Sequence, residues 1–471
     1  MSVLGHLQPE RVFAYFEALC GIPHGSGNTR AVSDYCLGVA AELGLEAKQD
    51  EANNVLIRKP ATPGYESHPP VILQAHLDMV CEKEPGVDFD FTTDPLKLRI
   101  EGDWIAAEGT TLGGDDGSGV ALALAVLADS TLQHPALEVV LTSDEETGMD
   151  GAAALDAGWL TGRRMINLDC GEEGVFTLGC GGGAKAKLTL PLAWAVNTTA
   201  CWQITVDGLL GGHSGAEIHI GRQNANILMG RLLATLPTGW RLVDIAGGQK
   251  DNVITSRCVC TVAAEGSPMA EAAAFAEANR IEADPGLTVT VAAVPVAEMA
   301  ADEATSANAA RLLAALPYGV QAMHPKLDWL VETSLNLGVL SADREGLHVS
   351  LSVRSAEKAK KLALLGRLQE IISAHGGSYA ESDHYPAWEY QENSPLQQVM
   401  LGTYRRFTGK EPVISVTHAG LECGLFSEKL PGLDTVSMGP TQEHIHSPKE
   451  RLCISSVGRT YAYLCEVLKA L

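Results

Sequence analysis

Apolar residues recur at helical spacing over 8–19, following Pro9, and again over 29–43, where Gly44 interrupts the pattern. Short, mainly apolar segments follow at 71–75, 137–141 and 165–168, each with a buried-strand pattern. Residues 120–128, wholly apolar, read as a helix between the first two runs. Strands alternating with helices predict an α/β fold in which a mixed, mostly parallel sheet is flanked by helices.

From Gly181 the texture changes. A glycine cluster at 180–183 reads as a hinge, followed by alternating strand patterns at 185–190 and 202–206. A helix over 224–236, strands over 287–294 and 347–353, and a helix over 357–374 resemble an inserted α+β domain, and the alanine-rich tract 270–278 reads as plain helix. The turn-rich stretch 386–395 precedes a helix, strands at 413–416 and 434–438 and a closing helix over 457–468, which read as a return to the first sheet. The expected organisation is a discontinuous domain of residues 1–182 and 387–471 and an inserted domain of residues 183–386.

Chain length and composition agree with this division. With 471 residues and 46% hydrophobic content, the chain exceeds what a single core usually organises. The N-terminal thirty residues lack a basic segment followed by an apolar run, and the longest apolar stretch, 120–128, is too short for a bilayer, so a cytoplasmic protein without a membrane partner is expected. A net charge of −24 argues against nucleic acid as a partner, because phosphate binding needs a lysine and arginine footprint. The eleven cysteines are scattered and odd in number, which fits reduced thiols.

Candidate chemistry gathers where the predicted strands end. His76 and Asp78 follow the first strand, Asp144, Glu145 and Glu146 the second, and Asp169 the third. A single His-Leu-Asp is an ordinary strand end, but ligands of open α/β sheets collect at the carboxyl ends of strands, and here three ends carry metal-capable groups. The turn Gly113-Gly114-Asp115-Asp116-Gly117 adds two carboxylates before a helix; capping needs only one, and two adjacent ones repel unless a cation compensates them. His444 and His446 form a loop pair that would be merely solvated if considered alone. Together these side chains make a mixed nitrogen and oxygen set suited to zinc, manganese or cobalt, and five ligands suit two ions bridged by one carboxylate.

The segments containing His76 and Asp78, Asp115 and Asp116, Glu145 and Glu146, Asp169, and His446 resemble the co-catalytic zinc peptidases of the M20 family. Stretches such as 58–62, 73–80 and 418–424 resemble its bacterial branch that cleaves carnosine and other Xaa-His dipeptides. The resemblance implies two divalent ions, zinc with cobalt or manganese as substitutes. His76 and Asp169 would hold one, Glu146 and His446 the other, and Asp115 would bridge them across a cis Asp115–Asp116 peptide. Asp78 would orient His76, and Glu145 would be the general base for a metal-activated water. The inserted domain would act as a lid. In it, His213 of Gly212-His213-Ser214-Gly215 would stabilise the oxyanion, with His219 a nearby competitor, while Asn252 and Arg354 would bind substrate. Gly420 would supply a backbone contact from the first domain. A guanidinium suits a terminal carboxylate.

The turn reads Gly-Asp-Asp-Gly where many relatives carry Gly-Asp-Asn-Gly, and Asp169, rather than glutamate, points toward aminopeptidase or dipeptidase action. The alternatives are an aminotripeptidase or N-acyl amino-acid deacylase with the same metal pair, and a noncatalytic metal-binding scaffold. A homodimer through the inserted domain is a further open alternative.

Overall fold

The computed structural model describes residues 2–471. The described chain divides into two compact units: residues 2–179, 390–416 and 421–471 form the first, and residues 180–389 and 417–420 the second. The short segment 417–420, which includes Gly420, thus groups with the second unit rather than with the expected first domain.

The first unit is built on an eight-stranded sheet, ordered Glu46–Gln49, Val55–Lys59, Leu137–Thr142, Val71–His76, Arg164–Asn167, Asp434–Ser437, Val175–Cys180 and Val413–Thr417. Its central pairings, 137–142 with 71–76, 71–76 with 164–167 and 164–167 with 434–437, are parallel. The Glu46–Gln49, Val55–Lys59 and Leu137–Thr142 pairings on one side and the 434–437 contact with 175–180 on the other are antiparallel. The expected mostly parallel sheet is therefore parallel only at its centre. Burial on both faces explains why these strands are mainly apolar rather than alternating: every residue of 71–76 and 137–142 is buried.

Helix Gly114–Ala128 packs on Val71–His76 and on helix Glu10–Cys20. From Val120 onward it is apolar all round and almost wholly buried, as such a helix must be. The helix begins earlier than the apolar run suggested, although Asp115 and Asp116 have non-helical dihedrals. Since consecutive parallel strands run the same way, His76, the Asp144–Glu146 turn and Asp169 emerge at one edge of the sheet.

The second unit contains a nine-stranded sheet including Cys201–Asp207, Cys258–Ala263, Arg241–Gly247, Val331–Ala342, Leu347–Ser355, Gly182–Leu190 and Ser378–Tyr385. Helices Ala225–Leu233, Glu303–Ala315 and Lys358–Ala374 bury its apolar residues in a second core. The glycine cluster expected to be a hinge is strand backbone at close quarters. A Cβ on Gly182 would come within 2.5 Å of Ala387 N, and one on Gly183 within 2.4 Å of the Tyr385 ring. All eleven cysteines are free thiols. No helix among the described residues is long and apolar enough to cross a membrane.

Candidate active site

Five of the sequence-predicted groups meet at the carboxyl edge of the first sheet. Asp115 Oδ1 lies 3.1 Å from His76 Nε2, and its Oδ2 lies 3.3 Å from His446 Nε2. His446 Nε2 is also 2.9 Å from Glu146 Oε1. One carboxylate therefore faces two imidazoles with its two oxygens. Ligand atoms of Asp115, Glu146 and His446 lie within 4.8 Å of one another, as do those of His76, Asp116 and Asp169, and those of His76, Glu145 and Glu146. The Asp115–Asp116 peptide is cis.

Asp116 was singled out in the sequence only as part of the turn. It is fully buried and spends its carboxylate on the His76 and Gly119 backbone N–H groups, at 3.2 Å each. Both His444 and His446 have left-handed backbones, and only His446 forms an ion pair with the site's carboxylates among the described residues.

Asp78 acts differently from the expected simple side-chain brace. His76 Nδ1 meets the Asp78 main-chain carbonyl at 3.0 Å, while the carboxylate stands 3.5 Å away. That buried carboxylate accepts hydrogen bonds from Glu145 N at 2.9 Å, Glu146 N at 3.2 Å and Ser26 Oγ at 2.7 Å. The reason is positional: the strand ends at His76, so Asp78 has already turned toward the Glu145–Glu146 loop. Asp78 thus ties that loop to the His76 strand end and fixes the imidazole tautomer through its carbonyl.

The electrostatics describe a site short of positive charge. Burial raises the Glu145 carboxyl to about 8, with Glu422, Glu146 and Asp115 adding repulsion. Burial and the Asp115 charge likewise hold Asp169 well above the ordinary range. Conversely, bonds to Asp115 and Glu146 lift His446 to about 10. Burial opposes charging His76, yet Asp115 and Asp78 outweigh it and raise its pKa. Among the described residues neither lysine nor arginine forms an ion pair with these carboxylates, whose basic partners are the two imidazoles. A donor set of two imidazoles and several buried carboxylates fits divalent cations.

A polar layer beneath the site was not foreseen. Buried Glu422 accepts from Gln74 Nε2 at 2.6 Å and Thr142 Oγ1 at 2.7 Å, and Asn167 Nδ2 donates to Gln74 Oε1 at 2.6 Å. Polar residues interrupting three otherwise apolar strands were its visible trace. Ser26 and Glu450, which also touch the site's supports, gave no such signal.

In the second unit His213 pairs through its backbone strand with Val253, and its Nδ1 accepts from Gly215 N at 3.2 Å and Ala216 N at 3.1 Å. The remaining nitrogen, Nε2, must then carry the proton in the neutral ring. Burial and the nearby Arg354 charge lower the pKa, favouring that neutral form. His219 is exposed and lacks these bonds. Arg354 is buried, donates from Nη1 to Tyr385 Oη at 2.9 Å and to His418 O at 3.3 Å, and keeps an Nε without a partner among the described residues. Asn252 offers its carbonyl to Ser214 N at 2.9 Å, and Gly420 is half-buried in the loop after Val413–Thr417.

The fold and the acidic, histidine-bearing sheet edge are those of a peptidase, and the chain belongs to peptidase family M20/M25/M40, whose profile matches residues 72–470. Over 480 aligned residues it is 38% identical to the cytosol non-specific dipeptidase of Escherichia coli, covering 100% of this chain and 99% of that one. The crystal structure of aminoacylhistidine dipeptidase from Vibrio alginolyticus superposes with a TM-score of 0.93 at 37% identity, covering 99% of this chain and 98% of the other. Aminopeptidase PepT from Bacillus cereus shares the fold at a TM-score of 0.58 and 16% identity, over 98% of this chain and 99% of that one.

Proposed function

We propose that this protein is a cytoplasmic metallodipeptidase that takes Xaa-His dipeptides such as carnosine among its substrates. The observation that carries the reading is the placement of Asp115, whose two carboxylate oxygens face His76 at 3.1 Å and His446 at 3.3 Å. That arrangement supports two divalent ions, zinc being the proposed native metal, with His76 and Asp169 on one, Glu146 and His446 on the other and Asp115 shared. When bound, such a pair supplies positive charge that polarises a carbonyl and acidifies a water molecule.

The chain's own residues supply the rest. Glu145, held by Asp78 through its backbone N–H, removes the proton from the attacking water and hands it to the leaving amine. Burial and neighbouring carboxylates raise the proton affinity of Glu145, the direction that lets a carboxylate accept a proton and then return it to the leaving amine. His213 donates from Nε2 to the oxygen on which negative charge develops, a contribution of about 2.7–4 kcal/mol for a preorganised donor. Arg354 pairs with the substrate's terminal carboxylate, while Asn252 and the Gly420 backbone orient the peptide.

The test is hydrolysis of a panel comprising carnosine, other Xaa-His dipeptides, dipeptides without histidine, a tripeptide and an acylated amino acid, after removal and restoration of zinc, cobalt or manganese. Metal-dependent cleavage of the dipeptides is expected. Turnover confined to the tripeptide or the acylated amino acid would replace the dipeptidase reading, and turnover unaffected by chelation would remove the metals from it.

A further inference from the structure

One buried carboxylate outside the expected set holds the turn that carries Asp115. Glu450, only 3% exposed, accepts through Oε2 from Leu112 N at 2.8 Å and Gly113 N at 3.1 Å, and through Oε1 from Gly114 N at 2.8 Å and Asp115 N at 3.3 Å. Four consecutive backbone donors converge on one anion, a concave arrangement of N–H groups that binds negative charge. Two glycines permit it. Gly113 adopts φ +67, and a Cβ on Gly114 would stand 3.3 Å from Glu450 Oε1 and 2.7 Å from Gln442 Oε1.

Ordinary capping of the following helix does not account for this contact. Asp115 and Asp116 have non-helical dihedrals, so the N–H groups bound by Glu450 precede the regular helix. The helix satisfies its own start: Gly117 N bonds to Gly113 O at 3.1 Å, and Gly119 N bonds to Asp116 Oδ1 at 3.2 Å. Glu450 is therefore spent on the turn itself. Its place in the chain adds a second link, since it follows His446 by four residues and its own N–H closes a turn on Ser447 O at 2.9 Å. A single short segment presents the His446 imidazole at one end and, at the other, the carboxylate that fixes the backbone of Asp115.

We propose that Glu450 is a positioning residue for the metal pair, setting Asp115 relative to His446 so that both oxygens of Asp115 can be shared; this rests on the metal reading given above. Metal–ligand distances tolerate only about 0.2 Å, so a turn left free to rotate would lose affinity before it lost its fold. Groups of this outer kind typically contribute about 10–100-fold to metal affinity.

The experiment uses the full chain, stripped of metal and titrated with zinc against a chromophoric chelator, with the melting temperature of the stripped protein measured alongside. Glu450→Gln keeps the shape but leaves one accepting oxygen and turns an amide NH2 toward backbone N–H groups. It should weaken zinc binding about 10–100-fold. Zinc affinity equal to that of the unmodified protein overturns the proposal, whatever happens to the stripped protein's melting temperature, because a merely structural carboxylate would move only the latter. If Glu450→Gln does not fold, Glu450→Asp serves: it keeps the charge, cannot reach all four donors and should also bind zinc more weakly, with unchanged affinity again decisive against the proposal. An unmodified protein that takes up no zinc would overturn the metal reading itself, before any variant is compared.

Discussion

Asp78→Asn probes the link between the His76 strand end and the Glu145–Glu146 loop. The Asp78 carboxylate is buried and accepts from Glu145 N at 2.9 Å, Glu146 N at 3.2 Å and Ser26 Oγ at 2.7 Å. Asparagine retains one accepting oxygen, so at least one backbone N–H comes to face an amide NH2. A hydrogen bond to a charged group contributes about 1.5–3 kcal/mol, and at about 1.4 kcal/mol per factor of ten in rate this corresponds to a fall in kcat/KM of about 10–100-fold. Asp78→Ala leaves three donors without a partner, at about 1–3 kcal/mol each, and should lose at least about 100-fold. Ser26→Ala removes one of the three bonds to the carboxylate and leaves both backbone bonds to the Glu145–Glu146 loop in place, so it should lose less activity than Asp78→Asn. The assay is steady-state dipeptide hydrolysis with thermal melting on the same samples, so that loss of activity is separated from loss of fold. Asp78→Asn within twofold of the unmodified enzyme would refute the reasoning, because the loop would then hold its place without the carboxylate.

Three further outcomes are expected. Glu145→Gln should keep its metal content and lose about 10²–10⁴-fold in kcat; near-normal turnover would take the base assignment away from Glu145. Arg354→Lys exchanges a fork for a point charge and should raise KM about tenfold or more with a smaller change in kcat, and an unaltered KM would separate Arg354 from the substrate carboxylate. His418, buried, repelled by Arg354 and bonded to Ser334 Oγ at 2.7 Å, has its pKa lowered from 6.5 to about 4. A depressed histidine pKa means that the stability it confers is present above about pH 6.5 and is lost as pH falls toward 4, by about 3 kcal/mol in all. Urea unfolding of His418→Gln at pH 7 and pH 4.5, compared with the unmodified protein, should show a shallower acid loss; equal slopes would contradict it.

Much of the site was legible because its residues sit at the ends of strands whose apolar runs mark them out. Once 71–75, 137–141 and 165–168 are read as neighbouring parallel strands, His76, Glu145, Glu146 and Asp169 must share an edge, since parallel strands end on the same side. The strands Glu46–Gln49 and Val175–Cys180, and the helix Glu303–Ala315, escaped that reading. Glu46–Gln49 alternates between exposed and half-buried positions without a clear apolar face, and for all three elements partners distant in the chain decide their state.

What the sequence determined by itself was the supply of chemistry: which strands are buried, which turn is rich in glycine, and which acids and imidazoles stand beside them. Tertiary structure alone decided how those groups are held. Asp78 turns its carboxylate to a loop sixty-seven residues away, Glu422 reaches back 348 residues to Gln74, and Glu450 reaches back 335 residues to Asp115. Local periodicity reports which side of an element meets the core, but the backbone donors that hold Glu450 and most of Asp78 carry no residue identity, and the side-chain donors to Glu422 come from strands far back in the chain, so these partners become visible only when distant segments pack together.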